Sequence, residues 1–326
     1  DARVAAALLA TLGAADLALV VRPFMRTDAP PAELYAADDV VSYLQAQPTA
    51  DAVRDRVFLL PAGDPAAQAM LGGGRFGPRS NYLVRHGIHA AGGEHGNHLR
   101  RWNEYAGIGP DGGVDWHNLV EWTSFMEAAN VRWIVTRATL DLARADDGTP
   151  LEGIELARDG DVKIYRNERA LPRAYLVPTV RAVSGPAATF LLMRSTEWDP
   201  RLVAVVADEV RDERLRALAV APPTTPPASP AEEARVVAYE ADSVVVRATP
   251  ARPMLLVLGD NFAPGWTATV DGEPAPIVRA NHTLRAVALD AGAHEVAFRY
   301  ETPGLRGGVA LSIAATLVLL GLGATA

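Results

Sequence analysis

The chain of 326 residues contains no cysteine. This absence excludes disulfide bonds, thiolate metal sites and cysteine nucleophiles, but it does not identify the cellular compartment. Lysine is nearly absent too, since Lys163 is the only lysine among 31 basic residues. Together with abundant alanine, glycine and proline, this preference for arginine is typical of a high-GC bacterial genome.

The chain also lacks an excess of positive charge, because its formal net charge is -8. Nucleic-acid-binding proteins present basic surfaces, so this balance argues against that class. No serine lies in a Gly-x-Ser-x-Gly frame, and the glycine-rich stretch 72–77 lacks the Lys-Ser/Thr of a phosphate-binding loop. We see no paired-carboxylate frame typical of a hydrolase, and we expect no cofactor.

Two long apolar stretches are present, at 4–21 and at 308–324. A membrane-spanning helix needs about 20 apolar residues, so we predict a transmembrane helix in each of the segments 1–26 and 304–326 and expect both to be truncated. A cleaved signal peptide is the alternative for the first stretch, although only Arg3 precedes it as a basic residue. Two such helices would place the region between them on one side of a membrane.

Residues 27–220 are predicted to form a mixed α+β domain. Apolar periodicity predicts helices at 33–47 and 119–129, and short apolar runs predict buried strands. Asp159-Gly160 is a two-residue hairpin signal. The strands predicted in this region are 56–60, 131–136, 153–157, 162–165, 173–180 and 202–207.

The stretch 221–230 holds five prolines in ten residues and is predicted to be a linker between domains. Beyond it the hydrophobic period is two, and turn signals recur about every 8–12 residues, which predicts a β-sandwich over 231–303. The predicted strands are 236–239, 243–249, 254–258, 266–270, 283–289 and 295–300. The predicted fold class is therefore α+β, with an antiparallel β-sandwich following the mixed domain and a transmembrane helix at each end.

Two motifs in order, Tyr-Arg-Asn-Glu-x-x-Leu-Pro-Arg-Ala from Tyr165 and Pro-Gly-Trp-x-x-x-Val-Asp-Gly from Pro264, resemble the bacterial YfhO-like membrane proteins. The segment ANVRWIVTRATL from Ala129 adds to this similarity, which extends from Asp16-Leu17 to the terminal helix. Such proteins span the membrane many times and are similar in architecture to GT-C glycosyltransferases. Their long extracytoplasmic domain precedes the last membrane helices.

The resemblance implies that this chain is the C-terminal part of a longer protein in the bacterial cytoplasmic membrane. It implies transfer of a sugar from a polyprenyl-phosphate donor to a cell-envelope glycan, with the catalytic acid on a first outer loop upstream of residue 1. We therefore assign no catalytic residue here and expect the chain alone to be inactive. The alternative is a non-catalytic, membrane-anchored domain that binds carbohydrate or a partner.

Histidines are concentrated in one polar segment, where five of the seven lie between His86 and His117. Two i,i+3 pairs would suit zinc on a helix, but interspersed glycines disfavour a regular helix, and we assign no metal site. Arginines and aromatic rings follow, which suit lipid phosphate and sugar faces respectively. An acid inside an apolar stretch is a further candidate. The candidate substrate-binding residues are Asp16, His86, His89, His95, His98, Arg100, Arg101, Trp102 and Tyr105.

Other conspicuous side chains have structural explanations. Trp122 and Trp133 lie in apolar periodic segments and are predicted to belong to the core. Trp266 alternates with apolar residues and is predicted to point inward. Asp260 and Asp271 lie near the same Pro-Gly turn, and the hairpin accounts for Asp271.

Overall fold

A computed structural model describes residues 2–22, 30–49, 51–60, 81–93, 99–108, 117–140, 153–207, 213–220 and 233–324. Residues Asp1–Ser42 and Tyr43–Ala326 form two compact units. The helices are α1 (Ala2–Val21), α2 (Pro31–Leu34), α3 (Asp39–Ala46), α4 (Arg100–Ala106), α5 (His117–Glu121), α6 (Thr123–Ala128), α7 (Gly185–Met193), α8 (Glu213–Val220) and α9 (Leu305–Ala324). A short 3-10 helix covers Leu83–His86.

The strands fall into three sheets within the second unit. The four-stranded sheet has the order β1-β2-β4-β3, the six-stranded sheet β5-β10-β14-β13-β7-β6, and the five-stranded sheet β12-β11-β15-β9-β8. The strands are β1 (Arg56–Leu59), β2 (Val131–Thr136), β3 (Ile154–Arg158), β4 (Lys163–Asn167), β5 (Ala174–Val177), β6 (Thr179–Ala182), β7 (Val203–Val206), β8 (Ala234–Tyr239), β9 (Ser243–Ala248), β10 (Met254–Asn261), β11 (Trp266–Val270), β12 (Glu273–Ala275), β13 (Val278–Ala280), β14 (Leu284–Leu289) and β15 (His294–Tyr300).

The first unit contains α1, whose side chains are exposed along the helix. Residues Arg3–Val21 are long and apolar enough to cross a membrane. Exposed apolar surface of this extent is unfavourable in water and favourable in lipid. The helix therefore has the length and the surface of a membrane span, as its sequence predicts.

Strand β10 is buried on both faces and separates two cores. Leu255 and Val257 belong to the core on one face, with Tyr105 and Phe125 from the helices. Leu256 and its even-numbered neighbours in β10 point the other way. Because successive side chains of a strand alternate between faces, one continuous apolar run serves both cores.

The second of these cores lies between the six-stranded and five-stranded sheets. It contains Leu256 of β10, Val287 of β14, Val246 of β9 and Phe298 of β15. Two sheets that enclose one apolar core form a β-sandwich, and the predicted α+β class with a C-terminal sandwich is confirmed.

Strand pairing crosses the predicted domain boundary. β10 pairs antiparallel with β5, with Leu256 opposite Leu176. Strands from 174–206 and from 254–289 therefore share one sheet, and the sandwich is completed by strands that precede the proline-rich stretch. That stretch, 221–230, lies outside the described residues.

The sandwich leads almost directly into the last helix. β15 ends at Tyr300 and α9 begins at Leu305. Gly265, with φ of +102°, lies so close to this connection that a Cβ there would be 2.5 Å from the carbonyl oxygen of Glu301. This close approach explains why glycine follows Pro264 in the motif. The apolar part of α9, Leu305–Leu320, is shorter than α1.

Several element predictions need correction. The single helix predicted at 33–47 is two helices, α2 and α3, because the Asp38 side chain accepts a hydrogen bond from the amide of Val41 and caps a new helix. The helix predicted at 119–129 is also two helices, α5 and α6, and the strand predicted at 173–180 is two strands in the same sheet. Helices α4, α7 and α8 and strands β12 and β13 were not predicted. They are short, so local periodicity gives little signal for them.

Truncating Leu256 tests the two-core arrangement. Leu256 is fully buried, so Leu256→Ala is expected to lower the free energy of unfolding by about 2–5 kcal/mol through lost apolar burial and a cavity. Leu191, which is 79% exposed, provides the matched control, and Leu191→Ala should change the free energy by less than about 0.5 kcal/mol. Chemical unfolding measures both. Equal effects would contradict the described core.

Candidate functional site

The predicted binding residues His86 and His89 lie on either side of the turn that follows the 3-10 helix. The His86 ring packs edge-on against Tyr82 with centroids 4.9 Å apart. Its Nε2 atom is enclosed and has no hydrogen-bond partner among the described residues. The His89 ring packs edge-on against Tyr239 at 5.2 Å.

Burial, together with the positive charges of Arg173 and Arg56, lowers the pKa of His89 to about 4. His89 is therefore neutral at pH 7. A neutral imidazole accepts one hydrogen bond and donates one, so it suits a hydroxyl group better than a phosphate.

Arg100 and Arg101 begin helix α4 and differ in exposure. The Arg100 side chain is 81% exposed and forms an i,i+4 ion pair with Glu104 at 3.3 Å. Arg101 is partly buried. Exposed ion pairs contribute little stability, so the Arg100 guanidinium is available to an external anion at small cost.

Trp102 and Tyr105 belong to the interior. Their rings stack at 5.4 Å, and the Trp102 indole nitrogen donates a hydrogen bond to the carbonyl of Ala91 at 2.9 Å. Tyr105 is fully buried, and its hydroxyl donates to the carbonyl of Phe125 at 2.7 Å. Their observed contacts are packing contacts, and both polar groups are already satisfied.

The remaining predicted residues are dispersed. Asp16 lies within α1 with an exposed side chain. His95 and His98 lie outside the described residues. Ligand binding by the predicted set stays a prediction. Among the members of that set that the structure describes, only Trp102 and Tyr105 are in direct contact through their rings.

The most highly charged buried site is centred on Asp260, at the end of β10. One carboxylate oxygen accepts hydrogen bonds from Arg56 at 2.6 Å and from Arg173 at 3.1 Å. The other accepts from Arg285 at 3.2 Å and from the Tyr239 hydroxyl at 3.2 Å. We call these five residues the Asp260 cluster.

The cluster joins all three sheets. Arg56 begins β1 of the four-stranded sheet, Arg285 lies on β14 beside Asp260 in the six-stranded sheet, and Tyr239 ends β8 of the five-stranded sheet. The Arg285 guanidinium also lies 3.6 Å from the centre of the Trp266 ring, a short cation–π contact. Trp266, predicted to be core, is partly buried at this position.

A second layer of polar residues orients Arg173. Its Nε donates to the side-chain oxygen of Asn130 at 2.9 Å. Asn130 has φ of 59°, and its amide nitrogen donates to Asp55 at 2.6 Å and to the carbonyl of Leu171 at 2.8 Å. These bonds hold a residue in a backbone conformation that costs energy outside glycine.

Burial alone would raise the pKa of Asp260, but the charges of Arg173, Arg56 and Arg285 outweigh it and lower the pKa below the usual range. Burial lowers the pKa of Arg56 to about 10. Asp260 and Arg56 are therefore both charged at pH 7. An ionised carboxylate held by three guanidiniums has neither a proton to donate nor a free lone pair for nucleophilic attack, so the cluster is structural.

The sequence interpretation assigned no role to Asp260 and did not select the three arginines. A signal was present, because Arg285 is the one charged residue of the predicted strand 283–289 and Asp260 closely follows the apolar run 254–258. A charge at such a position requires a buried partner. Which charges pair could not be read from one sequence, since Arg56 and Asp260 are far apart along the chain.

A cavity of about 280 Å³ lies elsewhere, at the junction of α5 and α6. Its lining combines tryptophan rings, carboxylates, an arginine and hydroxyl groups. The lining residues are Glu121, Trp122, Thr123, Ser124, Glu127, Arg169, Ser195, Thr196, Trp198, Asp199 and Pro200. Trp122, predicted to be core, is partly buried here, whereas Trp133 is buried as predicted.

Comparison with known proteins finds one family match, in the C-terminal part. Residues 232–312 match the family model of the bacterial membrane protein YfhO. The resemblance to the YfhO family is thus confirmed over the five-stranded sheet, β10, β13, β14 and the start of α9. No curated protein and no solved structure matches the chain. The YfhO match supports a bacterial membrane protein and agrees with the membrane-compatible length of α1.

Neutralising Asp260 tests the structural role of its cluster. Asp260→Asn leaves three buried guanidiniums without their counter-ion, and we expect a loss of about 3–5 kcal/mol in the free energy of unfolding. The exposed Asp242 offers a matched control, and Asp242→Asn should cost less than about 0.5 kcal/mol. Urea unfolding at pH 7 measures both variants.

The wild-type protein and Asp260→Asn should also differ in the pH dependence of their stability. Because the pKa of Asp260 is lowered in the folded state, its stabilisation is complete above the unfolded pKa of about 3.9 and is lost as pH falls below that value. Wild-type stability should therefore fall more steeply below about pH 4 than that of Asp260→Asn. Parallel pH profiles would show that Asp260 is not the paired carboxylate described.

Proposed function

We propose that the chain is the extracytoplasmic portion of a multi-spanning glycosyltransferase that uses a polyprenyl-phosphate sugar to modify a cell-envelope glycan. In this proposal, membrane helices upstream of residue 1 carry the catalytic acid. The described region holds the acceptor glycan over that membrane site. The YfhO match, which joins the sandwich to the start of α9, carries the proposal.

The connection between sandwich and helix supports a role at the membrane surface. Tyr300 and Leu305 are separated by a short turn, and the Glu301 amide donates a hydrogen bond to the carbonyl of Gly265 at 3.0 Å. A helix in the bilayer joined in this way keeps the sandwich near the lipid headgroups. A long flexible linker would not impose that limit.

The state of the buried carboxylates supports placing the chemistry elsewhere. Asp260 is held by three arginines, and Glu127 is held by Arg169 and Arg201 at 2.8 and 2.6 Å. Neither suits proton transfer, because the oxygens of both carboxylates already accept hydrogen bonds from guanidinium groups. This agrees with a catalytic acid outside the chain, as the resemblance implies.

The cavity beside Trp122 favours a second candidate, a membrane-anchored domain that binds carbohydrate without catalysis. Indole rings and hydroxyl groups lining a concave site suit sugar recognition whether or not a transferase accompanies it. Activity of the longer protein distinguishes the two candidates.

Transfer assays test the first candidate. Membranes containing the longer gene product should transfer radiolabelled sugar from a polyprenyl-phosphate donor to envelope glycan, and membranes containing only the 326-residue chain should give background counts. Transfer by the chain alone would contradict the proposed location of the catalytic acid. Glycan binding without transfer by the longer product would favour the second candidate.

Cysteine labelling tests the extracytoplasmic placement, because the chain has no cysteine of its own. Glu273 is exposed on β12, so Glu273→Cys should react with a membrane-impermeant maleimide in intact spheroplasts. Ala286 is fully buried, and Ala286→Cys should react only after denaturation. Labelling of Glu273→Cys only after membrane permeabilisation would place the domain in the cytoplasm.

A further inference from the structure

We propose that the cavity beside Trp122 binds a neutral saccharide, as one ring or the end of a short glycan. This inference rests on the proposed function, because it assigns a place to the envelope glycan. The observations that support it come from the cavity, for which no similarity to a known protein indicates a ligand.

Trp122 lines the cavity, and its indole N–H is unsatisfied within the described part of the chain. The nitrogen is enclosed and has no hydrogen-bond partner among the described residues. Trp198 also lines the cavity, but its indole nitrogen donates to the carbonyl of Val203 at 3.0 Å. A buried donor without an acceptor is unfavourable, so Trp122 is suited to a ligand that supplies an oxygen.

Backbone hydrogen bonds hold Trp122 in place on both sides. Its amide donates to the carbonyl of Asn118 at 3.1 Å, and its carbonyl accepts from the amide of Phe125 at 3.0 Å. Trp122 therefore links α5 to α6 at a set position. A positioned donor loses less conformational entropy on binding than one on a mobile loop.

Glu127 forms a rigid polar wall of the cavity. Its side chain is only 2% exposed, and its two oxygens accept from Arg169 Nε and Arg201 Nη1 respectively. The amide of Leu171 donates to the backbone carbonyl of Glu127 at 3.1 Å. The Arg169 side chain is 43% exposed, so part of its guanidinium faces the solvent side of the cavity.

The charges disfavour an anionic ligand. Glu121, Glu127 and Asp199 line the cavity, against Arg169 in the lining and Arg201, which pairs with Glu127 and with Asp199 at 3.4 Å. Three carboxylates opposing two guanidiniums leave no positive excess for a phosphate. Neutral hydroxyl groups can both donate to carboxylates and accept from the indole and arginine.

The size and remaining lining fit a sugar ring. A volume of about 280 Å³ is near the lower end of the ~300–1,000 Å³ typical of small-ligand sites. Ser124, Ser195 and Thr196 add hydroxyl groups at its wall. A polyprenyl chain would require a long apolar groove, so the cavity suits the acceptor sugar.

Saturation-transfer NMR on the full chain provides the test. The chain is placed in phosphatidylethanolamine–phosphatidylglycerol nanodiscs, because a sugar-headed detergent would compete. The probes are glucose, galactose, mannose and N-acetylglucosamine, with glucose 1-phosphate as the anionic comparison. We expect saturation transfer to at least one neutral sugar and weaker transfer to glucose 1-phosphate.

Two variants locate the binding. Trp122→Phe keeps an aromatic ring but removes the donor, and it should weaken binding roughly 2- to 10-fold, the loss of one net hydrogen bond. Thr196→Val, at an exposed position, should also weaken binding and gives an answer if Trp122→Phe does not fold. Trp133→Phe removes an indole that does not line the cavity and should leave affinity unchanged.

The outcomes separate this inference from the proposed function. No saturation transfer from the folded chain to any neutral sugar, unchanged affinity in Trp122→Phe and Thr196→Val, or preference for glucose 1-phosphate would each overturn the cavity assignment. If the longer protein nevertheless transferred sugar, the proposed function would remain supported. Binding that depends on Trp122, without transfer by the longer protein, would support the cavity and contradict the transferase.

Discussion

The ion cluster around Asp260 is the interaction on which the arrangement of the three sheets depends. One carboxylate receives side chains from strands of all three sheets, so each sheet contributes a charge or a hydroxyl that it cannot satisfy alone. Buried guanidiniums are tolerated only when such partners are in place. The cluster thus favours one register and one relative position of the sheets, which apolar packing by itself specifies less strictly.

Burial of β10 on both faces has a consequence for the membrane connection. The six-stranded sheet forms one core with the helices and another with the five-stranded sheet, and β15 of the latter continues into α9. Displacement of α9 would therefore pull on a strand packed against the central sheet. Protein interiors have low compressibility, so the position of α9 and that of the sandwich are mechanically linked.

The sequence predicted the sandwich strands well because their period-two alternation repeats over six segments, and 266–270 matches β11 at both ends. It did not predict that β5 pairs with β10. A strand that is apolar on both faces has no sequence pattern that indicates its pairing partner. The candidate site was harder to predict from the sequence. Trp102 and Tyr105 suggested a ligand by residue type, yet both are satisfied by Ala91 and Phe125. The free indole of Trp122 depends on tertiary geometry that periodicity does not report.

Where a ligand can bind follows from how the sheets are covered. Side chains of the six-stranded sheet are used on both faces, and the charged end of the sandwich is closed by its own ion pairs. The cavity beside Trp122 lies among the helices and loops that cover the sheet, between α6 and the residues that follow α7, and our proposal places recognition there. The region that matches the YfhO family, 232–312, is joined to α9. In the proposal, it supports the sandwich side and the preceding segment supplies the binding surface. In the proposed function, this division lets a sandwich whose described buried carboxylates are all ion-paired contribute by holding the substrate near the membrane.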